Sequence, residues 1–167
     1  MDELKKTGRR LRAVLDQISA RQSRWKDLKL KLKEEIQAAG EEAELEFEVR
    51  VTDHIEHWES VSLKLNDQDF SYYIKGNKRQ VIHKNGASLI FGLMPSGFIK
   101  IGMVYPKISD IKEKETPFQE FDLVKNPDEI DPESIRQYII RFIREIIAWE
   151  LGENKDIKER IGFKVNQ

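Results

Sequence analysis

The chain contains no cysteine. Disulfides and thiolate metal sites are therefore excluded, and a reducing compartment, the cytoplasm, is the default expectation. No run of about 18 apolar residues occurs, so no membrane-spanning helix is expected. The opening MDELKKTGRR has no apolar stretch of the kind a secretory signal needs. Catalytic signatures are missing as well. There is no G-x-S-x-G, no P-loop and no G-x-G-x-x-G. Ser96, in Pro95-Ser96-Gly97, belongs to turn chemistry. There is no internal repeat and no low-complexity tract. Residues 71–107 carry no acidic residue at all.

What is present is charge sorted into blocks. The formal charge of −1 over 167 residues conceals a net +7 in residues 1–33 and −10 in 34–70. Residues 71–107 carry six basic groups, 108–133 return to −6, and 134–167 end at +2. Such sorting points to complementary surfaces within a fold or between partners. With 39% hydrophobic and 35% charged residues, the chain has apolar material for one core and a heavily solvated exterior.

Residues 2–39 read as helix. Leu4, Leu11, Ile18, Trp25 and Leu32 are spaced by seven, with Leu15, Leu28 and Ile36 near the same stripe. The period is imperfect, since Gly8, Gln22 and Lys29 occupy alternate core positions. Gly40 is the expected stop. A helix of about 55 Å exceeds a compact domain of this size. It must break, around Ser19–Ser23, or overhang.

Residues 44–105 read as an antiparallel meander. Leu45, Phe47, Val49 and Val51 alternate with Glu44, Glu46, Glu48 and Arg50, as in a half-buried strand. A second strand covers 55–65. Gly76-Asn77, Asn85-Gly86 and Pro95-Ser96-Gly97 are expected hairpin turns. That register sets Tyr72 opposite Val81, Phe70 opposite His83, Val81 opposite Ile90, Ile82 opposite Leu89, Phe91 opposite Ile101 and Gly92 opposite Lys100. Phe118, Phe121 and Leu123 suggest an edge strand. Asp131-Pro132-Glu133 opens a helix with an N-cap, a first-turn proline and a first-turn acid, running to about Leu151. Its main stripe includes Ile135, Ile139 and Phe142. Ile140, Ile147 and Leu151 form a second stripe, which suggests contact on two sides.

The fold expected is α+β: a long N-terminal helix (1–40), then an antiparallel sheet of five to six strands with a C-terminal helix on one face (41–167). The two parts are expected to form one folded unit.

Three functional readings follow. The leading one is a non-enzymatic interaction or adaptor protein. It self-associates or binds another protein through Leu11, Ile18, Trp25 and Leu32. The alternative is an anion-binding module for single-stranded nucleic acid or a phosphorylated ligand. There Tyr72 offers an aromatic platform and Arg79, His83 and Lys100 offer positive charge. The competing structural explanation has the first helix covering that face, its glycines serving close packing. The third reading is a hydrolase or lyase built on His57 and Glu59. In the segment Asp53–Glu59, His54 and Glu56 point one way along a strand and His57 and Glu59 the other, so only pairs arise. No metal site and no cofactor are expected. A bulge near 57–60 would return Trp58 to the core.

Overall fold

The computed structural model describes residues 2–55, 58–108 and 118–153. It is an α+β fold. Helix α1 (Asp2–Glu42) leads into strands β1 (Phe47–Ile55), β2 (Trp58–Leu65), β3 (Gln68–Lys75), β4 (Lys78–Asn85), β5 (Ser88–Leu93), β6 (Ile99–Val104), β7 (Lys107–Ile108) and β8 (Phe118–Val124). A single 3-10 turn (Pro127–Glu129) precedes helix α2 (Pro132–Glu150).

Among the described residues the strands form a five-stranded sheet, β1-β2-β5-β6-β8, and a three-stranded one, β3-β4-β7, with every pairing antiparallel. The two sheets are one bent ladder. Lys64 faces Ser88 in β2–β5, and four residues on, Gln68 faces Lys84 in β3–β4 without a change of register. Likewise Ser88 faces Val104, and Lys84 faces Ile108. Between them the Leu65 N–H donates to the Ala87 carbonyl at 2.9 Å. The β2–β5 pair therefore leaves the body as an arm that turns at Gly76-Asn77.

This overturns the expected hairpin at Asn85-Gly86. Val81 does not face Ile90, nor Ile82 Leu89; β5 pairs with β2 and β6. Gly86 is needed for a different reason. A Cβ there would run into the Leu65 carbonyl, so only glycine lets the two backbones approach at the bend. Asp67 latches the same bend. Its carboxylate accepts from the Gly86 N–H at 2.9 Å and from Lys64 Nζ at 2.6 Å. These two hydrogen bonds, the Lys64 one first, hold the Asp67 carboxyl below its usual range.

Other registers hold. Tyr72 faces Val81, Phe91 faces Ile101 and Gly92 faces Lys100. Phe70 does not face His83, because a bulge between Asp69 and Ser71 sets Asp69 there instead. The irregularity expected at 57–60 falls between Thr52 and Ile55 on the neighbouring strand. Residues 56–57 and the side chains of His54 and Trp58 lie outside the described residues.

Both helices pack on one face of the five-stranded sheet. Trp25, Leu32 and Ile36 of α1 join Val61, Leu89, Phe91 and Ile101 of the sheet and Ile139 and Phe142 of α2 in a single core. The first helix therefore does not cover the opposite sheet face. α2 begins on the expected cap. Asp131 accepts from the Ser134 N–H at 2.7 Å and the Ser134 hydroxyl accepts from the Asp131 N–H, a reciprocal box.

Candidate interaction surfaces

Helix α1 is continuous for 41 residues, about 60 Å at 1.5 Å per residue. Ser19 and Ser23 do not break it, since an interior serine costs only tenths of a kcal/mol relative to alanine. Asp2 and Glu3 in the first turn suit the positive end of the helix dipole. The body begins at its second third. Arg21 Nη1 donates to the Ser96 carbonyl at 3.3 Å, and its guanidinium lies 4.7 Å from the Phe98 ring centroid. Gln22 reaches the Pro95 carbonyl at 3.5 Å. Gly97, at φ +79°, sits directly beneath Arg21. Arg24 pairs with Asp128 at 3.1 Å.

Below that seam the stripe is interior. Trp25, Leu28, Leu32 and Ile36 are buried, and Trp25 Nε1 donates to Glu59 at 2.7 Å. Lys29 brackets the same spot, 2.8 Å from Asp53 and 3.5 Å from Glu59. The Asp53 hydrogen bond leads in raising the Lys29 pKa. Above the seam, every residue from Asp2 to Gln17 is exposed. Sixteen residues, about 24 Å of helix, stand clear of the body. The stripe continues along them: Leu4 is 78% exposed, Leu11 59% and Leu15 54%, with Val14 beside them.

Of the four partner residues read from sequence, Leu11 is exposed, Ile18 is half-buried at the seam, and Trp25 and Leu32 lie in the chain's own core. The last two are withdrawn from any docking face, because a side chain closed off by its own fold has no surface to offer. Leu4, Val14 and Leu15 replace them. The heptad spacing contained Leu4 and Leu15 already; no sequence signal marked where the body would end.

The flanks of the overhanging stripe are mostly basic, although Glu3 adjoins it on the Arg10 side. At 100° per residue, Lys5 and Arg12 border one side and Lys6 and Arg10 the other. Among the described residues no ion pair reaches these four. Part of the acidic block is paired within the body: Glu42 binds Arg136 at 2.7 Å, and Glu48 pairs with Arg50.

The arm formed by β3 and β4 is the second exposed surface. Tyr72 is 56% and Ile74 72% exposed, with Val81 on the same side. The Arg79 guanidinium stacks 3.9 Å from the Tyr72 ring centroid. His83 pairs with Asp69 at the base. On the other side Lys84 reaches back to Glu150 and the Trp149 ring of α2, tying the arm to the body. The anion-site residues are thus divided. Tyr72, Arg79 and His83 ride on the arm, whereas Lys100 lies on β6 over the Phe118 ring. The register expected through Asn85-Gly86 would have made them one face; the bend separates them.

His57 lies outside the described residues. Glu59 is taken up by Trp25 and Lys29. Among the described residues, no group of three or more His, Asp or Glu side chains is placed to hold a metal ion, and no helix is long and apolar enough to cross a membrane. Burial, and then Asp122 at 2.8 Å, raise the Tyr138 pKa, which keeps a structural hydroxyl protonated. Comparison with protein-family models, with curated proteins and with solved structures finds no match to this chain.

Proposed function

We propose that the protein is a non-enzymatic, cytoplasmic interaction module that docks a partner helix on the overhanging part of α1. One observation carries this reading: a single apolar stripe is core from Trp25 onward and exposed from Leu4 to Leu15. The exposed half repeats the chemistry of the buried half and lacks only an opposite surface. Burying four aliphatic side chains there contributes several kcal/mol at about 25 cal/mol per Å², before ordering costs. The flanks select the partner. Two copies laid side by side would set Lys5, Arg10 and Arg12 against their like, whereas acidic flanks would complement them. The partner is therefore an amphipathic helix with Glu or Asp beside its apolar seam.

The test is a fluorescence titration of the full chain with two synthetic amphipathic helices. Both carry leucine seams; one has glutamate flanks, the other lysine. The glutamate peptide binds, less tightly as salt rises, and the double variant Leu11→Asp with Leu15→Asp loses it. Equal binding of both peptides, or of neither, refutes the reading.

A second reading has one observation in its favour. The arm presents Arg79 stacked on Tyr72, with Lys75 and Lys78 at its tip, in a stretch free of acids. Such a ribbon suits a single-stranded nucleic acid. It requires that a labelled oligonucleotide bind in a salt-dependent way and that Arg79→Glu remove the binding.

A further inference from the structure

The bend that carries the arm away from the body opens a cleft of about 330 Å³ beside the end of α2. Leu45, Leu65 and Ile146, each half-buried, and Pro106 give it apolar walls. Glu44 and Glu46 also line it, and both are exposed. Glu44 is fixed at φ +54° in the turn between α1 and β1. There its N–H donates to the Glu41 carbonyl and the Leu45 N–H to the Gly40 carbonyl, both at 3.0 Å. On the other side Lys84 spends its charge on Glu150. Among the described residues neither Glu44 nor Glu46 makes an ion pair. The cleft is therefore apolar within and acidic at its border.

The overhang of α1 has the converse chemistry. Leu4, Leu11, Val14 and Leu15 are exposed, and residues 5–12 hold five basic groups and no acid. The overhang belongs to the +7 block of the sequence and the cleft acids to the −10 block. One molecule cannot join its own two surfaces. From Leu11 to its end at Glu42, α1 runs unbroken for roughly 45 Å, and the cleft lies beyond that end.

We infer that the cleft receives the α1 overhang of a second copy of the chain. This rests on the reading of the overhang as a docking surface and names one partner for it. Overhang against overhang sets like charges together, whereas overhang against cleft sets Lys5, Arg10 and Arg12 towards Glu44 and Glu46. It also gives the leucines apolar walls to bury against. The two surfaces differ, so the contact is heterologous and copies add head to tail. A contact of this size belongs to the weak class, which leaves the chain monomeric when dilute. The glutamate-flanked helix competes for the same overhang.

The test is sedimentation velocity of the full chain from about 10 μM to 1 mM, with two variants and their mixture. The weight-average mass of the parent rises with concentration to at least twice the monomer mass, less steeply as salt is added. The overhang variant, Leu11→Asp with Leu15→Asp, and the cleft variant, Glu44→Lys with Glu46→Lys, each stay monomeric. Mixed one to one, they form a dimer and nothing larger, because each supplies the surface the other lacks. Far-ultraviolet circular dichroism checks that both are folded. A parent that stays monomeric, a cleft variant that still associates, or a mixture no heavier than its parts overturns the inference. If such a monomeric parent nevertheless binds the glutamate peptide, the docking reading stands and only the second copy is refuted.

Discussion

The two halves of α1 follow one period and meet opposite fates. From Trp25 to Ala39 the stripe is buried under sheet and α2; from Leu4 to Leu15 it stands in solvent. The β2–β5 ladder repeats the contrast. Leu63, Leu89 and Phe91 are core, yet past the bend at Gly86 the same ladder exposes Tyr72 and Ile74. Each element serves the fold in one half and leaves an apolar surface in the other. Periodicity specifies which face of an element is apolar. What covers that face depends on where the opposing surface stops.

The sharpest way to break this contrast is to place one charge in each half. Trp25→Asp removes a buried indole and strands a carboxylate beside Glu59. It costs more than the roughly 3–5 kcal/mol of a large-to-small core change, so the body unfolds at ambient temperature in a thermal melt. Gly86→Ala, at the bend, forces the backbones apart at Leu65. A loss of about 2 kcal/mol is expected in urea unfolding, with faster amide exchange in β3 and β4. Acid loosens the same bend. The Asp67 carboxyl is held below its ordinary value, so its contribution is complete above that ordinary carboxylate range. It is lost as pH falls through the lowered folded value. Asp67→Asn should flatten the acid dependence of arm protection, read by exchange at several pH values. Smallest on stability is the pair Leu11→Asp with Leu15→Asp. It stays within about 0.5 kcal/mol of the parent, because those side chains touch no part of the body. It nevertheless abolishes binding of the acidic helix.

Much of the scaffold could be read from local chemistry. Asp131-Pro132 opens α2 because cap and first-turn proline act within four residues. The turns at Gly76-Asn77 and Pro95–Gly97 set their registers by loop length alone. Asn85-Gly86 misled for a physical reason. The pair also suits a position where two backbones nearly touch, and only the tertiary ladder distinguishes that from a tight turn. The exposed apolar stretch of α1 was half legible. Leu11 is exposed, but Trp25 and Leu32 share its spacing and differ in lying over the sheet. The divided anion site followed from the same bend, since Lys100 and Tyr72 share a face only if β4 pairs with β5.

The most direct measurement is residue-resolved amide hydrogen exchange along α1 in the full chain, with and without the glutamate-flanked helix. The account predicts strong protection from Trp25 to Ala39 in both states. It predicts fast exchange from Asp2 to Gln17 in the free protein, because an isolated helical stretch of that length is marginal in water. Protection of that stretch then rises when the peptide binds. Uniform protection of α1 in the free monomer would mean that the stripe is already covered, and would contradict the account.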